Sequence, residues 1–244
     1  MSFNNQYRPS GFGGLPPVTK NIIIINVILF VFTFVFQQMN INLTDYLGLH
    51  HHLAPAFKPH QFVTYIFMHA SFQHLLFNMI GVYMFGQVLE QQWGPKRYLV
   101  FYIVTGLGAA VAQYLIMNYE ISGWLEMANQ QINEATDPTD RASLINQKYV
   151  QINSLDHHVI VGASGSLFGL LGAFGMLFPN QMLYIYFLFP VKAKWMVIAY
   201  GALELFSGLS NDPTDNVAHF AHLGGLFVGV ILVLLWKKNK THSY

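Results

Sequence analysis

The sequence contains no cysteine and little charge. Without cysteine, a disulfide framework, thiolate catalysis and a cysteine-ligated zinc site are all excluded. Only 9% of the 244 residues are charged and 53% are hydrophobic, whereas soluble domains carry about 25% charged residues. The formal net charge of +1 is too small to indicate a basic surface for binding a nucleic acid. We therefore expect a chain surrounded by the lipid bilayer, with no nucleic-acid partner.

The sequence contains several long apolar segments. A spanning helix needs about 20 mostly apolar residues, and in lipid only a helix satisfies the backbone of a single segment. Six segments approach this length: Asn21–Gln38, Phe72–Leu89, Tyr98–Met117, Val159–Phe178, Trp195–Leu209 and Val217–Trp236. The sequence predicts an all-α membrane protein, a six-transmembrane-helix bundle over residues 21–237. A flexible polar arm (1–20) precedes the bundle and a basic tail (238–244) follows it.

The basic residues set the orientation of the bundle. With a cytoplasmic N-terminus, nine of the twelve Lys and Arg residues lie on the cytoplasmic side, and the other three are Lys58, Arg141 and Lys148. This asymmetry satisfies the positive-inside rule, so both termini are predicted to be cytoplasmic. The outer side then holds an insertion, residues 118–158, in which we expect short amphipathic helices at Trp124-Leu125 and Leu144-Ile145.

Polar side chains fall at similar depths in three of the predicted spans. Ser164 and His222 each lie five residues past the start of a span that enters from outside, which places them about 7–8 Å deep. His74 and Asn78 lie near the outer end of the second span and share one helix face. A lone serine in a membrane helix commonly makes an ordinary interhelical hydrogen bond. Four polar groups in one layer indicate a site instead.

Two pairs of glycines follow the candidate residues at helical spacing: Gly165 with Gly169, and Gly225 with Gly229. Small residues four apart let helix backbones approach closely, as a hydrogen bond between two short side chains requires. A serine hydroxyl is a weak nucleophile until an adjacent base activates it. We therefore predict that Ser164 is a nucleophile and His222 its general base.

Three motifs together resemble the rhomboid family of intramembrane serine proteases. Gly162-Ala163-Ser164-Gly165 resembles the GxSG motif of that family, and residues 221–229 resemble its histidine-bearing last helix. The segment that contains His69 and runs from His74 to Asn78 resembles its second helix. The resemblance covers roughly residues 55–237.

This resemblance implies a catalytic dyad of Ser164 and His222, with His74, Asn78 and the Ser164 N–H as the oxyanion hole. It implies no cofactor and no metal. The expected substrates are single-pass or polytopic membrane proteins, cut within or near their transmembrane segments. The expected location is a bacterial inner membrane, with the site toward the outer face.

Three further residues are predicted to shape the site. Phe168 lies one turn after Ser164 on the same face, where its ring can hold the imidazole of the base, and Gly162 and Gly165 flank the nucleophile. Two features depart from the family. His60-Gln61 stands where a Trp-Arg pair is common, and the 118–158 insertion is longer than in compact members.

Two other classes of function stay open. One is a non-catalytic rhomboid-like protein that binds transmembrane helices, although such a protein would be expected to lack the serine or the histidine. The other is an intramembrane metalloenzyme with a zinc ion on His74, His219 and His222, although no H-E-x-x-H motif is present. As a base, His219 is less suitable than His222, because His219 lies one turn nearer the surface and only His222 precedes the Gly225/Gly229 face.

The remaining polar features receive simpler interpretations. His50-His51-His52 is interpreted as a solvated loop, because no acidic ligands accompany it. Glu90 is expected to snorkel or to pair with Lys96 or Arg97.

Glu204, at the depth of Ser164, has two interpretations. It is either a third catalytic member that orients His222, or it has a structural role as a hydrogen-bond partner or as a group facing the wet cavity. We favour the structural role, for which Glu204→Gln should cost less than about tenfold in turnover. A loss of about 10⁴ would indicate a catalytic third member.

Overall fold

The computed structural model describes residues 14–185, 189–210 and 217–241. Within these ranges the helices are α1 (Pro17–Gln38), α2 (Leu43–Leu47), α3 (Gln61–Thr64), α4 (Phe72–Gly81), α5 (Gln87–Trp93), α6 (Pro95–Glu134), α7 (Pro138–Ser154), α8 (Ser164–Leu177), α9 (Ala193–Ser210) and α10 (His219–Thr241). A π-helical segment, Val82–Gly86, joins α4 to α5, so residues 72–93 form one continuous span. The predicted polar arm falls largely on residues 1–13, which lie outside the described ranges, as do residues 242–244 of the tail.

The prediction of an all-α membrane bundle is confirmed, and the six predicted apolar segments correspond to α1, α4–α5, α6, α8, α9 and α10. Three of them, α1, α6 and α10, are long and apolar enough to span a membrane by themselves. Apolar side chains cover the outside of the bundle, as Phe206 and Phe227 illustrate with exposures of 74% and 66%. Faces of this kind suit lipid rather than water.

Helix α8 lies at the centre of the bundle. It packs against α6, α9 and α10, and its residues on several faces are buried, including Leu170, Ala173 and Phe174. A helix that is apolar all round belongs in a core. A short antiparallel hairpin, β1 (Met182–Ile185) with β2 (Phe189–Lys192), connects α8 to α9.

The fourth helix begins at Ser164 and not at Val159 as predicted, and the last begins at His219 and not at Val217. The preceding segment is extended, because Ile160 pairs with Leu49 in an isolated antiparallel bridge. Gly162 then has φ +132°, a conformation that favours glycine and that no helix can contain. The depth estimated from five residues of helical rise is therefore wrong for Ser164. It is the first residue of its helix, and non-helical chain leads down to it.

Helix α6 extends well beyond the predicted third span. Its 40 residues correspond to about 60 Å, twice the roughly 30 Å of a bilayer core. The Trp124-Leu125 pair therefore lies on a continuation of α6, and the prediction of a separate short helix there is wrong. The Leu144-Ile145 pair lies on α7, which follows α6 as the second arm of a helical hairpin. Lys148 Nζ of α7 donates to Asn129 Oδ1 of α6 at 2.6 Å.

Glu90 caps the first helix instead of snorkelling. Its side chain is buried, and its carboxylate accepts hydrogen bonds from Val18 N at 2.9 Å, Thr19 N at 2.7 Å and Thr19 Oγ1 at 2.7 Å. The first amides of a helix lack partners within the helix, and a carboxylate there also suits the helix dipole. The prediction of pairing with Lys96 or Arg97 is therefore wrong.

Replacing Glu90 by alanine should lower the free energy of unfolding by about 2–3 kcal/mol, because it leaves buried amide donors without an acceptor. Thermal unfolding of the detergent-solubilised protein measures this. Glu126, which is exposed on α6, supplies the matched control, and Glu126→Ala should change stability by less than about 0.5 kcal/mol. Equal effects of the two substitutions would contradict the capping role.

Two of the three histidines in the tract are buried, so its interpretation as a solvated loop is wrong for His50 and His51, whereas His52 is exposed. His50 and His51 are 0% and 1% exposed. His51 Nε2 lies 3.2 Å from Asn118 Oδ1, and His52 Nδ1 lies 2.7 Å from Tyr114 Oη, so the tract fastens the first long loop to α6. Burial lowers the pKa of His51, which keeps the ring neutral.

The side chain of Gln61 makes several hydrogen bonds to the backbone of the same loop. It is fully buried, and its amide nitrogen donates to the carbonyl oxygens of Asp45 and Ala56. The His60-Gln61 pair thus has a structural role in this chain.

Candidate active site

Ser164 and His222 are in direct contact. Ser164 Oγ lies 2.8 Å from His222 Nε2, across the interface between α8 and α10. Both side chains are at the same end of the bundle, since Ser164 is the first residue of α8 and His222 the fourth of α10. For the hydroxyl to donate to Nε2, the imidazole proton must be on Nδ1. In this arrangement the hydroxyl can transfer its proton directly to the ring.

Backbone contact between α8 and α10 makes this short distance possible. A Cβ atom on Gly225 would overlap the carbonyl oxygen of Gly165, and one on Gly229 would lie 2.7 Å from the carbonyl oxygen of Gly169. The two glycine pairs therefore face each other over one helical turn. Ala221 N also donates to Gln113 Oε1 of α6 at 3.2 Å, which fixes the first turn of α10.

Phe168 lies against the imidazole of His222. The two rings are nearly parallel, with an angle of 5° and 4.3 Å between centroids. On its other side Phe168 meets Tyr200 of α9 edge-on at 6.4 Å. The stack limits rotation of the imidazole about its χ2 angle, so the ring stays directed at Ser164.

The side chains of His74 and Ser164 both lie close to Gly162. A Cβ on Gly162 would lie 2.8 Å from His74 Nε2 and 3.5 Å from Ser164 Oγ, so any larger residue at 162 would displace the imidazole. Asn78 is buried one turn further along α4, and its Nδ2 donates to the carbonyl oxygen of His74 at 3.0 Å. An amide nitrogen has two N–H groups, so this bond leaves one donor on Asn78.

His69 packs edge-on against His74, with 5.0 Å between ring centroids. It is only 4% exposed. Burial, together with the neighbouring His74, lowers the pKa of His69 to about 3, so the ring is neutral. A neutral, buried imidazole limits the positions that the His74 ring can take.

Glu204 of α9 lies beside both histidines of α10. Its Oε2 is 2.6 Å from His219 Nδ1 in hydrogen-bond geometry, and 2.9 Å from His222 Nδ1. The second contact is short but misaligned, and His222 Nδ1 has no aligned partner among the described residues. The directed hydrogen bond of the carboxylate thus goes to His219. The alternative metal set of His74, His219 and His222 differs from the ligand cluster found among the described residues, which contains Glu204 in place of His74.

Two polar residues near the site were not identified from the sequence. Gln113 fixes α10 as described above, and the only sequence signal was a glutamine inside an apolar span. Ser166, two residues after the nucleophile, is fully buried, and its Oγ donates to the carbonyl oxygen of Tyr102 at 2.8 Å. Its position on α8 directs it away from His222 and toward α6.

A bundle of membrane helices with a serine–histidine pair at one end defines a multi-pass membrane protein with a candidate hydrolase site. Residues 56–239 match the Rhomboid domain family. The match includes more than half of the chain, so the chain belongs to the rhomboid family, and the predicted family is confirmed.

Individual relatives are moderately similar. The chain is 28% identical over 184 residues to the Bacillus subtilis (strain 168) protein named "Putative rhomboid protease YdcA", covering 75% of this chain and 69% of that protein. It is 29% identical over 229 residues to Rhomboid-like protein 11, chloroplastic, of Arabidopsis thaliana, covering 91% and 66%. To RHOMBOID-like protein 12, mitochondrial, of the same plant it is 27% identical over 214 residues, covering 88% and 56%. The chain thus spans about two thirds or less of the two plant relatives.

Proposed function

We propose that the chain is an intramembrane serine endopeptidase that cleaves membrane-anchored proteins within or near their transmembrane segments. The observation that supports this most directly is the 2.8 Å distance between Ser164 Oγ and His222 Nε2. Membership of a family with proteolytic members supports it independently. The non-catalytic alternative is less suitable, because this chain keeps both groups and holds them in contact.

The reaction follows from the roles of the two groups. Ser164 Oγ attacks the carbonyl carbon of the scissile peptide while its proton passes to His222 Nε2. When the tetrahedral intermediate collapses, the C–N bond breaks and His222 gives the proton to the leaving amine. Water, deprotonated by His222, then hydrolyses the ester on Ser164. This step requires a wet cavity at the Ser164 end of the bundle.

His74 and Asn78 are proposed as donors to the oxyanion, together with the backbone N–H of Ser164. His74 Nε2 and Ser164 Oγ both lie within 3.5 Å of the position that a Cβ on Gly162 would take, and Asn78 keeps a second N–H. Such donors act on charge that develops in the transition state. The bundle is proposed to lie in a bacterial inner membrane with both termini cytoplasmic, so that the site opens toward the outer face.

Incubation of the detergent-solubilised protein with a generic transmembrane substrate tests the proposal. The wild type should release a cleaved fragment and Ser164→Ala should release none. Ser166→Ala is the matched control, because Ser166 is bonded to α6 and not to His222. If Ser164→Ala folds and cleaves normally, the proposal is wrong.

Asn78→Ala should lower kcat by about 10²–10³-fold, because a lost oxyanion donor costs about 2.7–4 kcal/mol in the transition state. KM should change little, since the ground-state carbonyl makes little use of the donor. Steady-state kinetics with thermal unfolding in parallel checks this. Full activity in a well-folded Asn78→Ala protein would show that α4 does not line the site.

A further inference from the structure

Three ligand-type side chains converge at the Ser164 end of α9 and α10. Glu204 offers a carboxylate, whose Oε2 lies 2.6 Å from Nδ1 of His219 and 2.9 Å from Nδ1 of His222. One ligand atom from each of the three residues lies within 4.8 Å of the other two, whereas ligands of a tetrahedral zinc ion with bonds of about 2.0–2.1 Å are about 3.3 Å apart. Modest rotations of the Glu204 and His219 side chains would bring the atoms to that spacing while Phe168 keeps the His222 ring in place. We propose that this cluster is an inhibitory binding site for a zinc ion.

The chemistry of the ligands favours zinc over the common hard cations. Two imidazoles and one carboxylate form a set that zinc accepts, with a fourth position left for water. Magnesium and calcium prefer oxygen ligands. The side chains are 11–14% exposed, so the cluster is neither sealed in the core nor freely solvated. It includes the first residue of α10, at the end of the bundle that holds Ser164.

Binding there would disable the proposed base, and this part of the inference rests on the proposed function. In the active form the His222 proton is on Nδ1, which leaves Nε2 free to accept the proton of Ser164. A zinc ion on Nδ1 displaces that proton, and the neutral imidazole then carries its hydrogen on Nε2. Because Nε2 is then occupied, it cannot take the proton of Ser164, and the nucleophile stays inactive.

Substitution of His219 tests zinc binding separately from catalysis. This histidine is a ligand of the proposed site but has no place in the catalytic machinery, since Ser164 contacts His222. Loss of even an outer-shell partner typically costs about 10–100-fold in metal affinity, so loss of a ligand should cost at least about tenfold. His157 and His158 are exposed, and their joint replacement by glutamine is the matched control.

Zinc binding is measured on the full chain without a histidine tag, as Ser164→Ala protein, by competition with a zinc-sensitive dye. We expect binding to weaken at least tenfold in Ser164→Ala/His219→Gln and to stay unchanged when His157 and His158 are replaced. Equal zinc affinity with and without His219 would overturn the site. This measurement needs no enzymatic activity, so it stands even if the proposed function fails.

Inhibition is measured as the rate at which a fluorophosphonate labels Ser164. Zinc should slow labelling of the wild type at least tenfold, a chelator should restore it, and magnesium should have no effect. His219→Gln should be labelled at close to the wild-type rate and should resist zinc. Zinc that slows both proteins alike, or that binds the wild type without slowing labelling, would overturn the inhibitory role. Absence of labelling in every zinc-free sample would instead contradict the proposed function.

Discussion

Replacing His222 by alanine should reduce the rate at which a fluorophosphonate labels Ser164 by at least about 10³-fold. The serine hydroxyl is a poor nucleophile alone, and removal of the base from a hydrolytic serine–histidine unit costs nearly as much as removal of the serine itself. In this structure the only imidazole nitrogen shown in hydrogen-bond contact with Ser164 Oγ, among the described residues, is Nε2 of His222. Labelling is followed by gel fluorescence or by mass spectrometry of the modified peptide.

His219 provides the control for this experiment. It lies one turn earlier on α10, and its Nδ1 donates to the Glu204 carboxylate rather than contacting Ser164, so His219→Ala should keep labelling. The Ser164→Ala protein should show none. Persistent labelling without Ser164 would refute the nucleophile assignment, and loss of labelling in His219→Ala alone would mean that the wrong histidine has been assigned as the base.

Substitution of Glu204 distinguishes a catalytic dyad from a catalytic triad. The aligned hydrogen bond of Glu204 goes to His219, while the contact with His222 Nδ1 is short but misaligned, and Phe168 already limits the orientation of the base. Glu204→Gln should therefore still cost less than about tenfold in turnover. A loss near 10⁴, as when a triad aspartate becomes its amide, would make Glu204 a third catalytic member.

The candidate site was predictable because its pattern is local. Ser164 and His222 each precede a pair of glycines four residues apart, and helical spacing alone places such pairs on one face. In the structure these two glycine faces contact each other between α8 and α10. Hydropathy similarly located six apolar segments, because the length that spans a bilayer is fixed by the bilayer and not by the fold.

The features that could not be predicted depend on partners distant in the chain. Glu90 caps residues about 71 positions earlier, and His51 bonds to Asn118 across 67 positions. The start of α8 is set by the pairing of Ile160 with Leu49. Nothing in the composition near these residues specifies such contacts. Hydropathy windows also overlooked the extension of α6, because continuity of a helix outside the bilayer does not require apolar residues.

Replacing Gly225 by alanine should have the largest effect of any glycine substitution in the bundle. The added Cβ would overlap the carbonyl oxygen of Gly165, and a backbone atom cannot move aside as the end of a flexible side chain can. Helices α8 and α10 must separate, at a cost of about 1–3 kcal/mol in the free energy of unfolding. Since Ser164 and His222 sit on these two helices, a shift of about 1 Å should also cost about 10²-fold in turnover.

Gly123 supplies the matched control. It lies on the exposed part of α6, and a Cβ there would meet no atom within 4 Å. Gly123→Ala should therefore leave turnover unchanged and stabilise the chain by about 0.5–1 kcal/mol, because alanine loses less conformational freedom than glycine in a helix. Thermal unfolding and the rate of Ser164 labelling measure both variants. If Gly225→Ala kept wild-type stability and labelling, close backbone contact between α8 and α10 would not be what holds His222 against Ser164.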